Sequence, residues 1–527
     1  MSHSILSLGP SSVWRDHGRL GALLILSAVL LLLSPSIGKE PQDRCVLAQG
    51  VGWSEPTVLV TKRAFLNEVT MGSDPMGNLH LFWVGLCGDD HQPAPREQVP
   101  MEQRTDVCYL KWNRLGGWHP VVNILRLSGR TSWMRTVADR QGRLHLIWRG
   151  DNCMNYSWST LEAAFAPQIW IKHTRCLSDQ ISTSPAIAYD SLRNMLYILY
   201  TESQGNVLVI RSEDNGQTWS RPFLVAEPRA AAGASAHAVY TGHPALAVDG
   251  AGVLHATWSS FPESAYPSLG VFYARSYDAG VTWSTAEELA GEHHTQANIV
   301  TYGDANLLVV WNGDAGTAGR YARRSSDGGI TWQEREILLP PTVPGGMLGP
   351  PGLVIDGNGT AHVLMGSNDW IYYVHGSEFQ QWSPPERLAV PTTYLDGAAL
   401  VKFEEDPNET HTPNLVITQG NLLHAAWSAV DTLMYAFREL DVPYEPPRPV
   451  LSPDARLDST AIPTITNTVA TVASATAQMS VATQVPHSSV VLDNDNLNKS
   501  WLPIVVGVAP VALLLLVVLT LSSGRHR

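Results

Sequence analysis

The stretch Ala245–Leu289, ALAVDGAGVLHATWSSFPESAYPSLGVFYARSYDAGVTWSTAEEL, decides the fold. It reads as four short strands: Ala245–Val248 (a), Leu254–Trp258 (b), Val271–Ser276 (c) and Trp283–Leu289 (d). Apolar and β-branched runs of this length, bounded by Gly, Pro and Asp, are strands joined by turns. The a–b turn, Asp249-Gly250-Ala251-Gly252, is built from residues that tolerate positive φ and form Asx turns.

The pattern of strand b, Leu-His-x-x-Trp, recurs along the chain. It stands at Leu79–Trp83, Leu144–Trp148, Leu254–Trp258 and Leu423–Trp427, with weaker copies at Leu196–Tyr200, Leu307–Trp311 and Ala361–Met365. Seven copies spaced by roughly 55 residues mark a repeat architecture. A second Trp follows most copies and is read as opening strand d: Trp118, Trp170, Trp219, Trp283, Trp332 and Trp382. The last copy has none after it, whereas Trp53 precedes the first. The arithmetic closes if the N-terminal strand completes the last unit, which also protects the edges of an open array. The expected fold is therefore an all-β, seven-bladed β-propeller of four-stranded blades over 45–450, with a six-bladed ring as the alternative. The five strand-b histidines occupy a structural position and are read as packing and hydrogen-bonding elements.

Three c–d turns spell Ser-x-Asp-x-Gly-x-Thr-Trp. They are Ser212, Asp214, Gly216 and Trp219; Ser276, Asp278, Gly280 and Trp283; and Ser325, Asp327, Gly329 and Trp332. The Asp accepts backbone N–H bonds across the turn, the Gly takes positive φ and the Trp packs beneath. With these boxes the chain resembles the Asp-box, or BNR-repeat, proteins typified by sialidases. The resemblance implies a propeller with the boxes on the outer turns, opposite the ligand-binding face. For a sialidase it further implies an Arg-Ile-Pro motif, an arginine triad holding a carboxylate, a Tyr–Glu nucleophile pair and an Asp acid/base. No Arg-Ile-Pro occurs here, and sialidases have six blades.

In a propeller the d–a and b–c loops surround the channel mouth, where ligands bind. Candidates for chemistry there are Arg135, Arg149, Asp151, Glu202 and Asp314; candidates for ligand contact are Glu68, Arg135, Arg149, His243 and Asp369. A carboxylate pair could serve glycoside hydrolysis, although loop acids ordinarily cap turns. Arg135 and Arg149 are the best pair for an anionic ligand, with a surface ion pair to Asp139 or Asp151 as the plain alternative. His293-His294 lacks a third ligand at suitable spacing, so no metal and no cofactor is expected. Three long loops, Leu86–Asp106, Glu227–Gly242 and Val390–His411, are expected on the mouth face.

Outside the repeats, Leu20–Leu33 follows Arg15 and Arg19 and precedes the small residues Ser36 and Gly38, the pattern of a signal peptide over 1–38. The uncharged run Leu502–Leu521, followed by Arg525-His526-Arg527, reads as a membrane helix over 502–522 with a cytoplasmic tail at 523–527. The Thr/Ser/Ala-rich segment 451–500 between them reads as a stalk. This places the chain at the cell membrane, with the propeller outside. Export permits disulfides, and the blade map pairs Cys87 with Cys108 and Cys153 with Cys176, leaving Cys45 odd. Sequons stand at Asn155, Asn358, Asn408 and Asn498.

Of 527 residues, 44% are hydrophobic and 16% charged, and the net charge of −13 argues against nucleic-acid binding through bulk electrostatics. The leading expectation is an anchored propeller that recognises a glycan or glycoprotein. An exo-acting glycoside hydrolase and a protein-binding surface scaffold are the alternatives.

Overall fold

A computed structural model describes residues 52–60, 68–85, 87, 104–128, 131–150, 153–181, 183–265, 267–314, 319–340, 349–366, 371–388, 413–429 and 432–451. They belong to the first of two compact units, Met1–Leu457; the second, Asp458–Arg527, lies outside the described residues. The expected signal segment 1–38, most of the stalk, the helix at 502–522 and Cys45 also lie outside them. Among the described residues no helix is long and apolar enough to cross a membrane.

Seven antiparallel sheets form the ring, so the seven-bladed reading holds and the six-bladed one is set aside. Each blade runs a, b, c, d in chain order, except that blade seven takes its outer strand, Thr57–Val60, from the N-terminal side of the chain. That strand pairs with Thr432–Glu439, Thr57 opposite Tyr435. Blade one carries a fifth strand, because both Gly117–Trp118 and Val122–Ser128 pair with Arg104–Asn113. The apolar core is divided among the gaps between blades: seven buried clusters each join two neighbours, including one that joins blades seven and one. Burial between blades, on both faces of every sheet, accounts for strand-b runs as apolar as Leu79–Gly85.

Two details of the strand reading are corrected. Strand d begins later than read: in blade four it is Glu287–Ala290, and Trp283 closes the preceding turn. The same offset recurs, with Trp53, Trp118, Trp219, Trp332 and Trp382 each four residues before Thr57, Val122, Phe223, Glu336 and Glu386. Trp170 opens no strand. It lies on a seven-residue helix, Pro167–His173, that replaces the c–d turn of blade two, and it is fully buried against Phe82.

The strand-b histidines are structural, as read. In blades one, two, four and six the ring spans a buried Asp at the a–b turn and a Tyr on strand c: Asp74–His80–Tyr109, Asp139–His145–Tyr156, Asp249–His255–Tyr273 and Asp356–His362–Tyr373. A carboxylate only accepts, so Nε2–H donates to the Asp and the Tyr hydroxyl donates to Nδ1. In blade seven Thr418 replaces the Asp beside His424. Asp139 is thereby buried and engaged within its own turn, not paired with Arg135 on the surface.

The disulfides Cys87–Cys108 and Cys153–Cys176 both form, with Cα atoms 5.3 and 5.8 Å apart. Each closes a loop of about twenty residues at the mouth end of its blade, which constrains the unfolded chain by about 3 kcal/mol.

Candidate ligand site at the channel mouth

Strand a should alternate inward and outward, but in three blades it breaks at the same place. Register skips between Ser132 and Arg135 in blade two, Gly242 and Ala245 in blade four, and Thr295 and Asn298 in blade five. The first residue of each bulge is left-handed: Trp133 at φ 55°, His243 at 50° and Gln296 at 55°. A side chain held there costs on the order of 1–2 kcal/mol, and bulges re-aim the residues they carry. Strain repeated at a channel mouth is a mark of a functional site.

The bulges bring distant residues together. The Trp133 and His243 rings meet edge-on, centroids 6.3 Å apart, although blade three stands between their blades. His243 is in turn edge-on to Phe261 at 5.8 Å, and Phe261 stacks on Tyr240 at 5.2 Å. The Arg149 guanidinium lies over the Trp133 ring, 5.3 Å from its centroid. Arg135 pairs opposite Ile147 and Arg149 lies two residues further along the same strand, so both arginines share the face of blade two that turns to blade three. The Arg135 guanidinium also donates to the Met134 carbonyl at 2.7 Å.

Beside this cluster opens a cavity of about 500 Å³, lined by Arg149, Asp179, Gln180, Thr183, Ser203 and Tyr240 together with the apolar Ile181 and Val239. Its walls are the end of strand b in blade two, the d–a loop entering blade three, the b–c turn of blade three and the start of blade four. Burial, and then the charge of Arg135, push His243 down to about 4, so its imidazole is neutral at pH 7. Burial also lowers the Arg149 guanidinium from its usual value. The rim thus carries one guanidinium on an aromatic face, with amide and hydroxyl groups and the exposed Asp179 carboxylate lining the cleft. That combination recognises a polar ring through stacking and an anionic substituent through guanidinium hydrogen bonds.

Of the residues singled out in the sequence, Arg135, Arg149 and His243 converge here; Glu202 lies in the turn that forms one wall but is engaged within it, and Asp314 is held in a different contact. Glu202 is part of the b–c turn of blade three, where it accepts from the Asn206 side chain and its carbonyl accepts from Gly205. Asp314 is buried: it accepts the Ser268 N–H at 2.9 Å and the Ser268 hydroxyl at 2.6 Å, with His293 Nδ1 at 3.2 Å. It clasps a loop of blade four to blade five. Both acids are committed to turns because a carboxylate is the natural acceptor for loop N–H groups. Glu68 opens strand a of blade one opposite Val84, and its side chain lies outside the description. Asp151 and Asp369 lie outside the described residues. His294 accepts from Arg335 at 3.0 Å, and among the described residues no cluster could hold a metal ion.

The sequence reading missed Trp133, Phe261, Tyr240, Gln180 and Ser203. One signal was available: Trp133 is a Trp outside both repeated positions, at the start of a strand a. Nothing local announces the others, because they matter only through the bulges and the neighbouring blades.

Seven four-stranded blades make the chain a β-propeller, and three of them carry Ser-x-Asp-x-Gly-x-Thr-Trp turns on the face opposite the cleft, like those of BNR-repeat proteins. The family comparison agrees: residues 199–406 match the model of the BNR repeat-like domain. No curated protein matches the chain. Among solved structures it is similar to the Hadza microbial sialidase Hz136, at 12% identity and a TM-score of 0.39 over 72% of this chain and 66% of that one, just under two thirds of its length. It is also similar to a polysaccharide lyase of family PL25, an ulvan lyase bound to an oligosaccharide, at 9% identity and a TM-score of 0.45 over 73% and 95% of the two chains. A mutant of the Aleuria aurantia lectin in complex with α-methyl-L-fucoside gives 11% and 0.37 over 63% and 98%. Likeness at this level carries no argument about chemistry.

Proposed function

We propose that the protein is a membrane-tethered extracellular receptor that binds glycans, preferentially anionic ones, in the cleft over blades two to four. The observation that carries the reading is Arg149 laid across Trp133 at the rim of a 500 Å³ cavity. Pockets of this size suit small ligands, and an aromatic face with a planar cation beside it suits a sugar bearing a carboxylate or sulfate. Binding outranks hydrolysis because Glu202 and Asp314, the described acids proposed for chemistry, are engaged in turns. The tether rests on the apolar segments at the two ends of the chain and on the two disulfides, which suit an oxidising compartment. Leu451, the last described residue, is bonded to the a–b turn of blade two, on the face opposite the cleft.

The test is incubation of the full chain with a library of neutral, carboxylated and sulfated glycans, following retained and released sugars by mass spectrometry. Retention of anionic glycans that is lost in Arg149→Ala supports the receptor. Release of a sugar would make the protein a glycoside hydrolase, and no retention from any class would end the glycan reading.

A further inference from the structure

We infer that Tyr444–Leu451, the segment YEPPRPVL, is a latch that holds the ring seam closed from the face opposite the cleft. The seam lies in blade seven, whose outer strand, Thr57–Val60, pairs through three positions, as the outer strands of blades two to five do. It differs from them in coming from the other side of the chain, so no c–d turn ties it to its partner Thr432–Glu439. After strand c of blade seven the chain does not leave. It crosses the a–b turns of three successive blades and gives each a backbone hydrogen bond. Glu445 N donates to Gln419 O of blade seven at 2.8 Å, Arg448 N to Pro75 O of blade one at 2.7 Å, and Leu451 N to Arg140 O of blade two at 2.9 Å.

The turns are shaped to receive it. Gly420, at φ 74°, lies where a Cβ would sit 2.8 Å from Glu445 Cγ and 3.0 Å from the Pro443 carbonyl. Gly142, also at φ 74°, lies where a Cβ would sit 2.8 Å from Val450 Cγ1. Val450 packs against the buried cluster between blades one and two. Tyr444 receives the Arg114 guanidinium at 5.5 Å, and Arg114 of blade one also donates to Asn421 and Glu439 of blade seven at 3.2 and 2.9 Å. Three prolines in eight residues fix φ and lower the entropy lost on docking. The ring is thus closed twice, by the outer strand at its rim and by the strap across blades seven, one and two.

The test is amide hydrogen exchange on the full chain in detergent micelles, wild type against Arg448→Pro and Val450→Asp. Arg448→Pro removes the single N–H given to Pro75, and Val450→Asp empties the apolar seat. The latch predicts that exchange in Thr57–Val60, Thr432–Glu439 and Glu68–Ser73 rises by about five- to tenfold, while Leu254–Phe261 in blade four keeps its protection. Arg448→Pro, the milder change, still decides the matter if Val450→Asp does not fold. Seam amides that exchange as in the wild type would overturn the proposal and leave the strap a passive tail. A uniform rise in all blades would overturn it as well, since it would show no special hold on the seam.

Discussion

Trp332 of blade five stands edge-on to Tyr273 of blade four, with ring centroids 5.0 Å apart and planes at 78°. Gly329 makes room for the contact, since a Cβ there would fall 2.0 Å from the Tyr273 oxygen. The same meeting recurs between Trp219 and Tyr156, Trp118 and Tyr435, and Trp53 and Tyr373. Each Tyr is the one held by a strand-b His, so an Asp (or Thr), His, Tyr and Trp run in series from the a–b turn of one blade to the c–d turn of the next. Arginines add a second tie: Arg211 donates to Ala279 O and Arg275 to Gly329 O in the following box. The Asp boxes are therefore inter-blade staples. Blades three and five have Val209 and Ala322 where the others have the Tyr, and there the next blade's Trp283 and Trp382 join clusters containing those smaller side chains.

Tyr273→Phe keeps the ring contact and removes the hydroxyl. His255 Nδ1 is then left buried without its donor, and stability should fall by about 1–3 kcal/mol. Trp332→Ala should cost about 3–5 kcal/mol if the Trp acts as buried packing rather than surface decoration. Urea denaturation of both variants checks the pair. A loss below 0.5 kcal/mol, within the ordinary spread of surface changes, would remove the staple from the argument.

Within the boxes the residue before the Gly is also left-handed: Asn215 at φ 55°, Ala279 at 59° and Gly328 at 71°. Only Ala279 lacks both the freedom of glycine and the local hydrogen bonding of asparagine. Ala279→Asn should therefore raise stability by about 0.5–1 kcal/mol, seen as a higher urea midpoint at an unchanged slope. An unchanged or lower midpoint would refute this reading of the strain.

Acid should destabilise the propeller well above the pH at which its box carboxylates titrate. Burial, with a contribution from Arg114, holds His424 at about 3 against an ordinary 6.5. Between those values the unfolded chain binds a proton that the folded one refuses, so stability falls as pH drops from about 6.5 towards 3. His243, at about 4, acts in the same direction. Asp327 adds a lower step: burial opposes its ionisation, but Thr331 and Ser325 outweigh burial and hold it at about 2 against 3.8. Its contribution is present above about 4 and is lost as pH falls to 2. Urea midpoints at pH 7.5 and 5 should differ measurably, and His424→Leu, though weaker at pH 7.5, should lose less between them. Equal losses in the two proteins would rule out His424 as the cause.

At the cleft, Trp133→Ala should weaken retention of an anionic glycan by about tenfold through loss of the stacking face and the Arg149 contact. Trp133→Gly should weaken binding equally yet fold more stably than Trp133→Ala, because glycine accepts φ 55° without strain. Calorimetric titration and thermal unfolding of the two variants separate platform from scaffold. Full binding by Trp133→Ala would show that the sugar face lies elsewhere.

The ring was legible because its signals are local. Alternation over four to eight residues, Asp/Gly turns and a Trp between strands c and d recur in units of about 55 residues, and repetition multiplied a weak signal sevenfold. The disulfides followed, since strands b, c and d of one blade are neighbours by construction. The strand-b histidines were read as structural for the same reason. What the linear order withheld was every relation that skips a blade. Trp133 meets His243 over blade three only because two bulges turn both side chains out of their alternation. The acids at the mouth looked like candidates for chemistry until folding brought Ser268 to Asp314. Strand alternation and turn chemistry are properties of adjacent residues, and those the sequence determined. The cleft and the strap across the seam depend on where distant backbones come to rest, and only the closed ring decided them.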